Sequence, residues 1–199
     1  KANTLTVVDN ARSELEKIKR NLPEGTTIQD SYDSSVFIKE SINEVYSTLA
    51  ISMGLVVLVI FLFLGNIRAT LIPAVTVPVA LVGSFMFLLA MGYSINLLTL
   101  LALVLAIGLV VDDAIVMLEN IHRRIELGEP PLLAAFRGAR EVGFAIIATT
   151  LVLISVFVPL VFMDGRIGAL FTEFAMAVSA AVFFSSVTAL TLAPALCSK

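Results

Sequence analysis

The sequence predicts an all-α polytopic membrane bundle of five transmembrane helices, preceded by a small N-terminal α/β segment. Three observations carry this expectation. The 199 residues are 58% hydrophobic and only 15% charged, with a mean hydropathy of +0.99, whereas soluble domains carry about 25% charged residues. The charge is unevenly placed, with six Lys/Arg and eight Asp/Glu in residues 1–48 and seven and eight in the remaining 151. The run Leu97 to Leu118 is apolar at every position but Thr99, Gly108 and two adjacent aspartates, Asp112 and Asp113. At 1.5 Å per residue, such a run of about 22 residues crosses the hydrocarbon core of a bilayer.

The segment 1–33 opens with Val8, Ala11, Leu15, Ile18 and Leu22 at spacings of three and four, the stripe of an amphipathic helix. Asn21-Leu22-Pro23-Glu24-Gly25 ends it. Thr26, Thr27, Ile28 and Tyr32 are β-prone, which predicts a short strand over 26–32. Roughly 33 residues are too few for an independent core, so this segment reads as the tail of an α/β domain. Asp33, Ser34 and Ser35 offer N-caps. Ile38, Ile42, Val45 and Leu49 then give a second amphipathic stripe, a linker helix over 34–48 that continues into the first span.

Within a membrane region of 49–199, spans are expected at about 49–64, 69–91, 97–118, 142–163 and 168–196. Gly65-Asn66-Ile67-Arg68, Gly92-Tyr93-Ser94 and Asp164-Gly165-Arg166 are tight turns. Pro73, Pro78 and Pro159 fall inside spans, where neighbouring helices can satisfy the freed carbonyls. Glu119 to Pro131 is the longest polar loop of the region, and the mixed stretch at about 131–141 suits a helix lying at the interface. The last span carries Ala177, Ala181, Ser185 and Ala189 four apart, a spacing that lets helix backbones approach closely. Arg68, Arg123, Arg124, Arg137, Arg140 and Lys199 fall on one side of the membrane, and only Arg166 among the short loops of the other. The positive-inside rule makes the first side cytoplasmic and puts the N-terminal segment outside.

Several function classes are excluded. No basic patch with interleaved aromatics suggests nucleic acid. The one cysteine, Cys197, permits no intrachain disulfide and reads as a small apolar residue. His122 has no Cys or His partner nearby and reads as an interfacial residue, so no metal and no cofactor are expected. The chain starts at Lys1 without an initiator Met or a signal-peptide pattern, as the middle of a longer protein would.

Chemistry concentrates at Asp112 and Asp113. A carboxylate at the centre of a membrane helix costs about 2.5–3.5 kcal/mol by the mildest scales, so it must face other helices, water or a counter-charge. Neighbours on a helix lie about 100° apart, so both can point into one quadrant of a bundle interior. Such a pair can take up and release protons as its surroundings alternate between dry and wet, the chemistry of a proton-coupled machine. The bland alternative is a polar pair that only fixes helix packing. An intramembrane aspartyl protease needs two aspartates flanking one peptide, usually from two helices. No second span carries an acid at membrane depth, Glu173 lying near the outer edge of the fifth.

The stretch Gly108-Leu109-Val110-Val111-Asp112-Asp113-Ala114-Ile115-Val116-Met117-Leu118-Glu119-Asn120 resembles the fourth transmembrane helix of resistance–nodulation–division (RND) multidrug exporters. Gly65-Asn66-Ile67-Arg68-Ala69-Thr70-Leu71-Ile72-Pro73 with Val77-Pro78-Val79 is similar to their second-to-third-helix connection. Gly92-Tyr93-Ser94-Ile95-Asn96-Leu97-Leu98-Thr99 resembles the start of their fourth helix. Val156-Phe157-Val158-Pro159 and Leu192-Ala193-Pro194-Ala195-Leu196-Cys197 resemble their fifth and sixth. Residues 1–33 are similar to the end of their periplasmic porter domain. The resemblance covers essentially the whole chain.

It implies part of a homotrimeric bacterial inner-membrane pump that exchanges protons for drugs or other amphiphiles, working with a periplasmic adaptor and an outer-membrane channel. The family's proton-translocation aspartates map onto Asp112 and Asp113. The doubled Asp fits the hydrophobe/amphiphile branch, since metal-exporting relatives have one Asp at this motif. Met53, Met86, Met91, Met117, Met163 and Met176 are scattered and form no metal relay. The family has twelve transmembrane helices, of which five, resembling helices two to six, are present. The lysine it places opposite the aspartates is on a second-half helix, and no Lys or Arg lies inside any span here. The chain alone is therefore not expected to transport. Protein- or lipid-exporting members of the superfamily, and a non-transporting structural subunit, are the alternatives.

Overall fold

A computed structural model of the chain describes residues 4–19, 23, 34–65, 67–93 and 96–198. Among these residues there are six helices: α1 (Thr4–Lys19), α2 (Ser34–Leu64), α3 (Ile67–Ala90), α4 (Leu97–Glu126), α5 (Pro131–Val161) and α6 (Gly165–Cys197). There is no strand among the described residues, and the strand expected over 26–32 lies outside them. Five of the helices are long and apolar enough to cross a membrane.

The chain divides into two units, 1–47 and 48–199. In the first, α1 carries Lys17–Glu14 and Lys19–Glu16 ion pairs at 2.6 and 3.1 Å, both exposed and of little energetic weight. Along its apolar stripe Val8 and Leu15 are half-buried, while Ala11 and Ile18 are exposed.

The second unit is organised on α6, which packs against α3, α4 and α5. The small residues at four-residue spacing are the reason. Ala177, Ala181, Ser185 and Ala189 are each at most 1% exposed, and without large side chains the backbones of neighbouring helices come close. Three apolar clusters follow one another along α4. Leu88, Ala102, Ala177, Val178 and Val182 form the first, near its start. Ile60, Val77, Ala80, Leu103, Ala106, Ile107, Val110, Val111 and Ala181 form the second. Met117, Leu118, Ile121, Ala134, Ala135, Ile146 and Ala193 form the third, near its end.

The turns use glycine where the chain must reverse sharply: Gly65 (φ 60°) and Gly92 (φ 73°) take left-handed backbone that other residues rarely adopt. Two boundaries differ from the sequence expectation. Helix α4 continues past Leu118 to Glu126, and α5 runs from Pro131 through Val142 to Val161 without a break. Several polar residues of both stretches pair between the two helices or with Glu129 in the loop that joins them. Arg124 Nη2 and Nε donate to Glu141 Oε2 at 2.8 and 3.2 Å, and Arg124 Nη1 donates to Glu129 Oε1 at 3.0 Å. Arg137 Nη1 donates to the same Glu129 oxygen at 3.2 Å. Asn120 Nδ2 donates to Gly138 O at 3.0 Å and to Glu141 Oε2 at 3.1 Å. Gly138 sits where α5 touches α4, and a Cβ there would lie 2.8 Å from Ile121 Cγ1 and 3.3 Å from Ile121 Cα.

Candidate functional site

Helix α4 holds the acidic pair, and its start is firmly fixed. Asn96 caps it: its Oδ1 accepts from the backbone N–H of Leu98 (2.9 Å) and Thr99 (3.0 Å), while Asn96 N–H donates to Thr99 Oγ1 at 2.8 Å. This reciprocal box satisfies donors that the first turn leaves unpaired. Asn96 Nδ2 also donates to Glu173 on α6, so the cap is tied to the hub helix. Glu173, expected near the outer edge of the last span, is half-buried and engaged.

The two aspartates occupy different surroundings. Asp113 is half-buried and turned toward α6. Asp112 is exposed, on a face of α4 that also carries Leu101, Leu105, Gly108, Val116 and Glu119. Adjacent positions differ by about 100° around a helix, and here that angle separates a side chain against a neighbouring helix from one the described helices leave uncovered. No described basic residue lies within ion-pair distance of either carboxylate.

The polar neighbour of Asp113 is Ser185 of α6. Its Oγ lies 3.4 Å from Asp113 Oδ2 and donates at 2.7 Å to Val110 O, one turn before the aspartate. Other buried hydroxyls bond within their own helices: Thr76 to Pro73 O, Ser84 to Ala80 O, Thr150 to Ile146 O, Ser186 to Phe183 O and Thr188 to Ser185 O. Serines in helices ordinarily bond back three or four residues in this way. Ser185 reaches across instead. In the sequence it stands only as one member of the small-residue stripe. The available signal was a hydroxyl in the centre of a stripe otherwise made of alanines.

The remaining flagged residues lie apart from this site. His122 Nε2 is 3.4 Å from Glu126 Oε1, one turn along α4, and Cys197 is half-buried at the end of α6. Among the described residues no group of three or more His, Cys, Asp or Glu is placed to hold a metal ion.

Chemically, the arrangement offers two carboxylates in the middle of an apolar helix, one exposed and one beside a buried hydroxyl. A family model described as the AcrB/AcrD/AcrF family matches residues 1–199. The chain is 50% identical over 198 residues to "Multidrug resistance protein MdtC" of Erwinia tasmaniensis, covering 100% of this chain and 19% of that protein. It is 47% identical over 197 residues to the protein of the same name from Yersinia enterocolitica, covering 99% and 19%. It is 48% identical over 198 residues to that of Pectobacterium atrosepticum, covering 100% and 19%. The chain therefore spans about a fifth of the length of the curated relatives it matches.

Proposed function

Because the chain belongs to the AcrB/AcrD/AcrF family, the group of RND exporters that its motifs resemble, we propose that it forms part of a proton-driven exporter of drugs or other amphiphiles, with Asp112 and Asp113 as the proton-translocation site. The observation that carries the reading is two adjacent carboxylates midway along a helix apolar enough to span a membrane. Such groups are retained at depth for ion or proton movement. The names of the relatives, multidrug resistance proteins, support the substrate class.

The cycle follows from the physics of the pair. With a cation supplied from outside this chain, both aspartates stay ionised despite their depth. When water from the outer side reaches them they bind protons and release the cation. The helices then repack, because the charge that held one arrangement is gone. Loss of the protons to the cytoplasm resets the site. The exposed face of α4 at Leu101, Leu105, Gly108, Asp112 and Val116 is where that cation's helix would pack. In this reading the protein is a multi-pass bacterial inner-membrane protein, trimeric at native length, with residues 1–33 in the periplasm as the end of a porter domain and 34–48 as the linker. It acts with a periplasmic adaptor and an outer-membrane channel.

The test is drug efflux from cells by the native-length protein, with Asp112→Asn and Asp113→Asn compared with wild type at equal expression. Loss of efflux in both, with the variants still assembled in the membrane, is the expected result. Retained efflux in both would return the pair to a structural role.

A further inference from the structure

We infer that Ser185 is a positioning residue that converts the protonation of Asp113 into a change in the α4–α6 contact, by sharing one hydroxyl proton between Asp113 and the Val110 carbonyl. The inference rests on the proton-site reading above. Ser185 is 1% exposed, so water does not compete freely for its hydrogen bonds. Its Oγ is placed 2.7 Å from Val110 O and 3.4 Å from Asp113 Oδ2, so one hydroxyl faces two oxygens of α4.

A hydroxyl has one proton to donate and two lone pairs to accept with, whereas an ionised carboxylate only accepts. When Asp113 is protonated, both bonds form together: Ser185 donates to Val110 O, and the Asp113 O–H donates to Ser185 Oγ. When Asp113 is ionised, two acceptors compete for one proton. The bond to a charged oxygen is the stronger, so the hydroxyl turns to Asp113 and leaves Val110 O without its donor from α6. The proton Asp113 gains or loses exchanges with water. That of Ser185 stays on its oxygen and only changes direction.

The location gives this rotation leverage. Ser185 lies between Ala181 and Ala189 in the stripe that holds α6 close to its neighbours, and Ala181 packs in the same cluster as Val110. Among the described residues no other ionisable side chain faces Asp113 from the packed helices. Helix α3 has no acidic or basic residue from Ala69 to Ala90, α5 none from Val142 to Val161, α2 none from Thr48 to Leu64, and α6 none from Phe174 to Cys197. On its own helix the neighbour is Asp112. The charge of Asp113 therefore reaches α6 through one hydroxyl.

The test uses the native-length protein in proteoliposomes with an imposed proton gradient, comparing Ser185→Ala, Ser185→Thr and Asp113→Asn. In Ser185→Ala, turnover is expected to fall about fivefold, the factor one ordinary buried hydrogen bond commands, with KM for the drug unchanged. Infrared difference spectra give the second readout. The protonated-carboxyl band that disappears in Asp113→Asn should move to higher wavenumber in Ser185→Ala, because its O–H has lost an acceptor. Ser185→Thr, which keeps the hydroxyl, should restore both. Should Ser185→Ala fail to assemble, Ser185→Cys, a much weaker donor, carries the same expectations. If Asp113→Asn abolishes efflux while turnover and the carboxyl band are unmoved in the Ser185 variant, this inference is wrong and the proton site stands. If Asp113→Asn transports normally, the proton site itself is wrong and the inference falls with it.

Discussion

Replacing Gly138 by alanine sets two effects of known size against each other. Alanine in a helix interior is favoured over glycine by about 0.8–1.0 kcal/mol. Against this, the new Cβ would lie 2.8 Å from Ile121 Cγ1, 3.3 Å from Ile121 Cα and 3.4 Å from Ile121 N. Ile121 is fully buried, and a β-branched side chain in a helix has essentially one χ1 rotamer, so Cγ1 cannot swing away. The backbone atoms cannot yield without moving α4 from α5, which stretches the 3.0 Å bond from Asn120 Nδ2 to Gly138 O. Overpacking of this kind costs about 1–3 kcal/mol, so the expected net change is a destabilisation of about 0–2 kcal/mol, rising with valine. The assay is detergent-to-denaturant titration of the native-length protein followed by circular dichroism, run as a double-mutant cycle with Ile121→Ala. Ile121→Ala alone should cost about 2–5 kcal/mol. Combined with Gly138→Ala it should cost about 0.5–2 kcal/mol less than the sum, because it opens the space the new methyl needs. A full propensity gain in Gly138→Ala, or additivity within about 0.5 kcal/mol, would refute the close approach of the two helices.

Three further outcomes are expected. Asn96→Ala removes the α4 cap and its bond to Glu173, so stability should fall by about 1 kcal/mol, and hydrogen exchange should quicken at the Leu98 and Thr99 amides. Ala181→Leu inserts a large side chain into a fully buried position of α6, which should cost about 1–3 kcal/mol in the same titration, whereas Val187→Leu on the 40%-exposed face should be near neutral. Arg124→Ala severs bonds to both Glu129 and Glu141 and should destabilise more than Arg123→Ala, whose ion pair with Glu141 is 3.6 Å and exposed. Thermal midpoints of the two variants, measured side by side, check this ordering.

The long apolar helices were legible because a run of about twenty apolar residues has few other ways to satisfy its backbone: the apolar runs beginning near 49, 69, 97, 142 and 168 fall within α2 to α6. Helix ends were less legible. Glu119 to Glu126 reads as loop from its charges, yet Asn120 and Arg124 remain helical because their partners are on α5, and those partners lie 17 to 21 residues away. Similarly, nothing between Leu132 and Val142 breaks a helix, so polarity alone could not divide an interfacial piece from the span. At the site, the sequence pointed to Asp112 and Asp113 by chemistry but not to the difference in their surroundings, which depends on the rotation of α4 about its axis. The link from Ser185 to Asp113 joins positions 72 apart, and no local pattern encodes it.

The place of α6 as hub also bears on how the chain is made. On insertion scales, the fourteen Leu, Ile and Val residues between Leu97 and Leu118 contribute together about −4 to −8 kcal/mol at roughly −0.3 to −0.6 each, while the two aspartates oppose them by about 5–7 kcal/mol. Helix α4 thus leaves the ribosome close to indifference between water and lipid. The helix that covers Asp113 is translated later, as residues 165–197. Until it arrives, α4 has α3, α5 and the translocon wall to hold it, and Asp113 lacks the helix that covers it. Synthesis rate and chaperoning across that interval, rather than the hydrophobicity of α4 alone, would then set the yield of correctly threaded protein.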